Sequence, residues 1–129
     1  QDDLTSYYLN RSQESIDRDF SLGSMLGNYT LQEAINQMDT LSMLYPNFVS
    51  QKDSIGTSIE GRTIWAFKLS DNPFVDEDEP EVLFTGLTHA REPLSMMNLY
   101  YFANWLCENY NSNITANYLL DNREICSFQ

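Results

Sequence analysis

The sequence predicts an α/β fold, a mixed β-sheet covered by helices, and three observations carry that reading. A capped helix begins at Thr30, a hairpin pattern runs from Ser54 to Leu69, and an apolar run at Val82–Thr85 leads through a loop into a second helix. In the first of these, Thr30-Leu31-Gln32-Glu33 forms a capping box, with the hydroxyl capping the helix start and Glu33 reaching back. Leu31, Ala34, Ile35, Met38, Leu41 and Leu44 or Tyr45 then recur at helical spacing until Pro46 stops the helix. In the second, Ser54–Ser58 and Thr63–Leu69 flank Ile59-Glu60-Gly61-Arg62, where Gly61 suits a turn and Ile64, Trp65 and Phe67 favour a strand. In the third, Val82–Thr85 reads as a short buried strand and Gly86–Glu92 as a loop. Pro93 is the first residue of a helix that Leu94, Met97, Tyr101, Leu106 and Tyr110 carry to about Tyr110. Asn111-Ser112-Asn113 ends that helix, Thr115–Leu120 adds a turn or two, and Arg123–Phe128 is a last strand, expected at an exposed edge of the sheet. Tyr100, Tyr101, Trp105 and Tyr110 are expected to pack on the core or the sheet. Residues 1–27, broken by Gly23 and Gly27, read as an N-terminal tail or pro-region remnant whose end docks on the domain, and residues 28–129 as the domain itself.

With 129 residues, the chain accommodates one domain or part of a larger one. Its net charge of −12 argues against nucleic acid and against an anionic membrane surface as partners, both of which require clustered basic residues. No apolar run approaches the ~20 residues of a membrane-spanning helix. Cys107 and Cys126 are too few for a disulfide scaffold or a cysteine zinc site, and they stand either as two free thiols or as one disulfide. Asn10-Arg11-Ser12, Asn28-Tyr29-Thr30 and Asn113-Ile114-Thr115 match the N-glycosylation pattern and fit an exported protein. The opening Gln1-Asp2-Asp3 has neither a basic start nor an apolar segment, as is also true of a mature chain whose leader has been removed.

The chemistry concentrates around one residue. His89 is the only histidine, and it lies in Gly86-Leu87-Thr88-His89-Ala90-Arg91-Glu92, directly after a strand. An H-x-x-E spacing lets an imidazole nitrogen and a carboxylate converge within one turn, and zinc accepts both ligand types. Strand ends are where open α/β sheets bind ligands. Arg91, between the two, is placed to pair with a carbonyl or a carboxylate. H-x-x-E alone is common in helices, so its weight comes from context.

That context is specific. Thr88-His89-Ala90-Arg91-Glu92-Pro93 after a Val-Leu-Phe strand resembles the zinc-ligand motif of the metallocarboxypeptidases, the carboxypeptidase A/T-like family. Tyr29-Thr30 and Tyr45-Pro46 look like the bounds of that family's first helix. Ile55-Gly56-Thr57-Ser58-Ile59-Glu60-Gly61-Arg62-Thr63-Ile64-Trp65 resembles its hairpin, and Leu120-Asp121-Asn122-Arg123-Glu124-Ile125 a later strand. The resemblance covers roughly residues 20–126. It implies that His89 and Glu92 are the first two zinc ligands and that Arg91 belongs to the substrate cleft. It implies hydrolysis of C-terminal peptide bonds, with a peptide or protein C-terminus as partner, and a secreted or extracellular setting. The family's second zinc histidine, general-base glutamate, carbonyl-polarising arginine, carboxylate-gripping Asn-Arg pair and pocket tyrosine belong to a downstream half. The chain is therefore expected to be the N-terminal portion of the catalytic domain and inactive alone. Glu33, Glu60 and Glu108 are not candidates for the missing base, given their places on the first helix, a hairpin turn and a helix end. The competing expectation is a non-catalytic truncated product or an acidic binding module.

Asp76, Glu77, Asp78, Glu79 and Glu81 form a dense acidic loop. A solvated charge run is the plain reading. The sharper expectation is a calcium site at Asp76, Glu77 and Glu81, joined by Glu124 from the neighbouring strand, because calcium collects six to eight oxygens.

Overall fold

The computed structural model describes residues 20–128. The sequence-predicted tail falls mostly outside this range. Helix α1 spans Leu31–Leu44. Thr30 accepts the Glu33 N–H, and the Glu33 carboxylate accepts the Thr30 N–H at 2.8 Å, completing the capping box. The buried stripe is narrower than the periodicity suggests: Ala34, Met38 and Leu41 are buried, whereas Leu31 and Leu44 are exposed. Helix α1 contributes only its 34–38–41 face to the core.

Strands β1 (Asp53–Thr57) and β2 (Thr63–Leu69) form the antiparallel hairpin, with a bulge between Ser54 and Gly56. The turn between them uses Gly61 at φ +76°, the left-handed region that glycine enters without a Cβ penalty. Strand β3 spans Glu81–Thr85, helix α2 Pro93–Asn109, helix α3 Ile114–Asn122 and strand β4 Glu124–Phe128. The sheet order is β1-β2-β4-β3, antiparallel at β2–β4 and parallel at β4–β3, which makes the sheet mixed. The parallel pair is joined by a crossover through α2 and α3, as a parallel connection requires.

Two expectations about the sheet are corrected. Arg123–Phe128 was expected at an edge, yet β4 lies between β2 and β3 and is paired on both sides. Val82–Thr85 was expected to be buried, yet every residue of β3 is exposed, Leu83 to 61%. The reason is the same for both: β3 occupies the edge of the sheet, with β4 as its only strand neighbour among the described residues.

The core lies between the sheet and the helices. Phe67 and Leu69 of β2 stand opposite Ser127 and Ile125 of β4, and all four are buried. Tyr100 of α2 stacks on Phe67 with centroids 6.2 Å apart, and its hydroxyl donates to the Ala34 carbonyl at 2.8 Å, tying α1 to α2. Of the other helix aromatics, Trp105 and Tyr110 are partly buried against this core and Tyr101 is 40% exposed. Phe20 is buried with its ring edge-on to Tyr101 and near Tyr29, so the segment before α1 docks on the domain. Cys107 and Cys126 are free thiols, the former buried. Among the described residues no helix is long and apolar enough to cross a membrane.

Candidate metal centre

The loop from Gly86 to Glu92 is set by a close approach at its start. Gly86 is buried where β3 meets α2, and a Cβ there would sit 3.1 Å from both Met96 Cα and Leu99 Cδ1. A residue without a side chain suits so close an approach of the strand end to the helix, because any Cβ there would force its neighbours to give. The chain then turns through Leu87, whose φ of +56° is unusual for a branched side chain. Ser95, in the first turn of α2, braces this turn. Its Oγ accepts the Leu87 N–H at 2.9 Å and donates to the Glu92 carbonyl at 2.8 Å. Sequence reasoning missed Ser95; the available signal was a hydroxyl three residues after the Glu that opens a helix.

This geometry brings His89 and Glu92 together at the C-terminal end of β3. Glu92 is the N-cap of α2, with Pro93 following in the first turn. The Glu92 N–H donates to the His89 carbonyl at 3.0 Å, which folds the loop into a single turn. His89 Nδ1 and Glu92 Oε2 lie 3.2 Å apart, with side chains 72% and 60% exposed. An exposed pair of this kind contributes little to stability. Its spacing nevertheless matches a metal site: two donors each ~2.1 Å from a tetrahedral zinc ion are separated by about 3.4 Å. A nitrogen and a carboxylate oxygen are zinc's ordinary ligands, so the two residues present fit the ion as part of a three-ligand set. Thr88, Ala90 and Arg91 line the same open pocket as the pair, and Arg91 is exposed there.

The glutamates set aside from the sequence have other partners or positions. Glu33 accepts from Thr30 and Ser24, which hold its carboxyl at about 2, far below the usual carboxylate range. Glu60 pairs with Arg62 at 2.5 Å across the hairpin turn, and Glu108 is exposed near the end of α2.

The acidic loop forms a separate cluster of carboxylates. Asp76, Glu81 and Glu124 each offer a carboxylate oxygen, all within 4.8 Å of one another. Glu77 does not join them with its side chain: Oε1 accepts from Asn72 and the backbone N–H donates to Glu124 Oε1 at 3.1 Å. Glu124 is buried and also accepts from Lys68 Nζ at 2.6 Å, and these donors hold its carboxyl below the usual range. Glu79 is pushed up, by desolvation first and then by the neighbouring carboxylates of Glu77, Asp71 and Glu124.

A mixed α/β sheet with a His-x-x-Glu pair at a strand end places a nitrogen and an oxygen donor where open α/β sheets bind ligands. Residues 34–128 match the family model for zinc carboxypeptidases, and the chain belongs to that family. A zinc carboxypeptidase from Saccharothrix mutabilis subsp. capreolus is 41% identical over 108 residues, covering 84% of this chain and 24% of that protein. Human carboxypeptidase D is 34% identical over 86 residues, covering 66% of this chain and 6% of that protein. The crystal structure of the carboxypeptidase A from Helicoverpa armigera superimposes with a TM-score of 0.67 at 21% identity, over 97% of this chain and 31% of that one. The chain thus spans roughly a quarter of the length of the bacterial relative and carries part of the carboxypeptidase fold.

Proposed function

We propose that this chain supplies the first half of the active site of an exported zinc carboxypeptidase, which hydrolyses the C-terminal peptide bond of a peptide or protein. The observation that carries the reading is the 3.2 Å convergence of His89 Nδ1 and Glu92 Oε2 at the end of β3, in a member of this family. His89 and Glu92 would hold the ion, His89 through a deprotonated Nδ1. Bound zinc supplies carbonyl polarisation and activation of water. Arg91, exposed beside the pair, attracts the carboxylate-bearing end of the substrate. The pair supplies two of the three protein ligands a catalytic zinc site uses, and the family resemblance assigns the third ligand, the general base and the cleft walls to a downstream half of the domain. The 129-residue chain alone is therefore inactive and binds zinc more weakly than a complete three-ligand site.

The test uses the full-length parent and an unblocked peptide. His89→Ala should abolish release of the terminal amino acid while leaving the circular dichroism spectrum unchanged. Arg91→Ala should mainly raise KM. Persistent turnover in the His89→Ala parent, or steady turnover by the 129-residue chain with zinc, would sink the reading.

We also propose calcium at the acidic loop, held by Asp76, Glu81 and Glu124 with Glu77 beside them. The convergence of three carboxylates within 4.8 Å supports it, since a divalent cation relieves their mutual repulsion. Thermal midpoints measured with calcium and with chelator test this; identical midpoints would remove the site.

A further inference from the structure

We propose that Asn113 carries an N-linked oligosaccharide in the exported protein. The proposal rests on the export part of the reading above and on nothing in the metal centre. Asn113-Ile114-Thr115 is an acceptor triplet in the turn between α2 and α3, where Asn111, Ser112, Ile114 and Thr115 are all exposed. Asn113 is the N-cap of α3, and its Oδ1 accepts from the Thr115 N–H at 2.9 Å and the Ala116 N–H at 3.2 Å. The cap engages only the oxygen. Nδ2, the atom that would be glycosylated, donates to none of the described residues, so a substituent there leaves the cap intact.

The second triplet within the described residues differs in each of these respects. Asn28 Nδ2 donates to the Met25 carbonyl at 3.4 Å, and Met25 and Asn28 exchange two backbone hydrogen bonds of 3.0 Å. The middle residue of that triplet, Tyr29, is 5% exposed. The Asn28 backbone is packed so closely that a Cβ on Gly23 would meet its carbonyl oxygen at 2.1 Å. A sugar on Asn28 works against this turn, whereas one on Asn113 extends into solvent.

In the transfer, Nδ2 attacks the anomeric carbon of a lipid-linked sugar diphosphate. A C–N bond forms, the C–O bond to the diphosphate breaks, the amide loses one proton, and the lipid diphosphate leaves. Helix α2, 17 residues long, separates this turn from the metal pair by about 25 Å at 1.5 Å per residue, so the glycan stands clear of the pair.

The experiment secretes the full-length parent from a eukaryotic host behind that host's own leader, so the result does not depend on the natural route of export. Peptide mass spectrometry before and after an amidase that releases N-glycans reads occupancy at each triplet. Thr115→Ala removes the acceptor pattern and keeps the Asn113 cap, and Thr115→Ser keeps both. The wild type and Thr115→Ser should carry a glycan on the Asn113 peptide, and Thr115→Ala should lose that one glycan with unchanged thermal stability. An unmodified Asn113 peptide in the secreted wild-type protein overturns the proposal. The export reading is judged separately, by where the parent is found in its own source.

Discussion

Replacing Lys68 by Met removes an ammonium and keeps most of the stem's packing. In the native chain Lys68 Nζ donates to Glu124 Oε1 at 2.6 Å and also to the Val75 carbonyl, so it links β2, β4 and the acidic loop. Glu124 is 3% exposed, and after the substitution its carboxylate keeps the Glu77 N–H as a donor in a site closed to water. Removing one member of a buried ion pair costs about 3–5 kcal/mol. The Lys68 side chain retains 18% of its surface in solvent, which places the expected loss at the lower end, about 3 kcal/mol. Urea denaturation of the 129-residue chain measures it, in a chelating buffer so that no divalent cation stands in for the ammonium. The double variant Lys68→Met/Glu124→Gln should recover part of the loss, because no uncompensated charge remains buried. A Lys68→Met chain within about 0.5 kcal/mol of wild type refutes the reasoning and means that Glu124 is solvated or held by another group.

Three further outcomes are expected. Glu33 titrates near 2 in the folded chain against 4.5 ordinarily, so its contribution is present above about 4.5 and disappears as pH falls toward 2; Glu33→Gln should flatten that limb of the thermal-midpoint profile, and an unchanged difference between the two proteins across the window would exclude the coupling. Burial, with the Glu108 charge adding to it, pushes the Cys107 thiol up to about 12, so Cys107 should resist maleimide in the native chain and react in urea, with native labelling as fast as in urea counting against it. Leu41→Ala should cost about 3 kcal/mol because Leu41 is fully buried, whereas Leu31→Ala should stay within about 0.5 kcal/mol because Leu31 is exposed; equal losses in urea titrations would contradict the narrow buried face of α1.

The elements legible in the sequence are those whose cause is local. Thr30 and Glu33 signal a helix start because the capping box closes within four residues, and Gly61 signals the hairpin turn because only the left-handed backbone closes it. His89 and Glu92 were legible for the same reason, since one turn of chain brings their donors together. What escaped is what depends on distant partners. Val82, Leu83 and Phe84 read as buried because they are apolar, but burial is decided by sheet order, and β4 enters the sheet from more than forty residues downstream. The Lys68–Glu124 pair joins residues 56 apart and carries no local signature. Leu31 and Leu44 fit the helical period, yet the sheet and α2 cover only the middle of that stripe.

Leu87 has a consequence for attempts to harden this protein. A branched residue at φ +56° carries conformational strain, of order 1 kcal/mol or more. A glycine in its place relaxes that strain but gives up the packing of the Leu87 side chain against the core, so the two effects oppose each other. The same substitution widens the range of directions the following residues can take, and three of the next five are Thr88, His89 and Glu92. Relief of strain obtained in this way would trade a fixed donor geometry for a wandering one. On the zinc reading proposed above, the strained backbone at Leu87 would help hold the donors in place, at a residue that holds no metal itself.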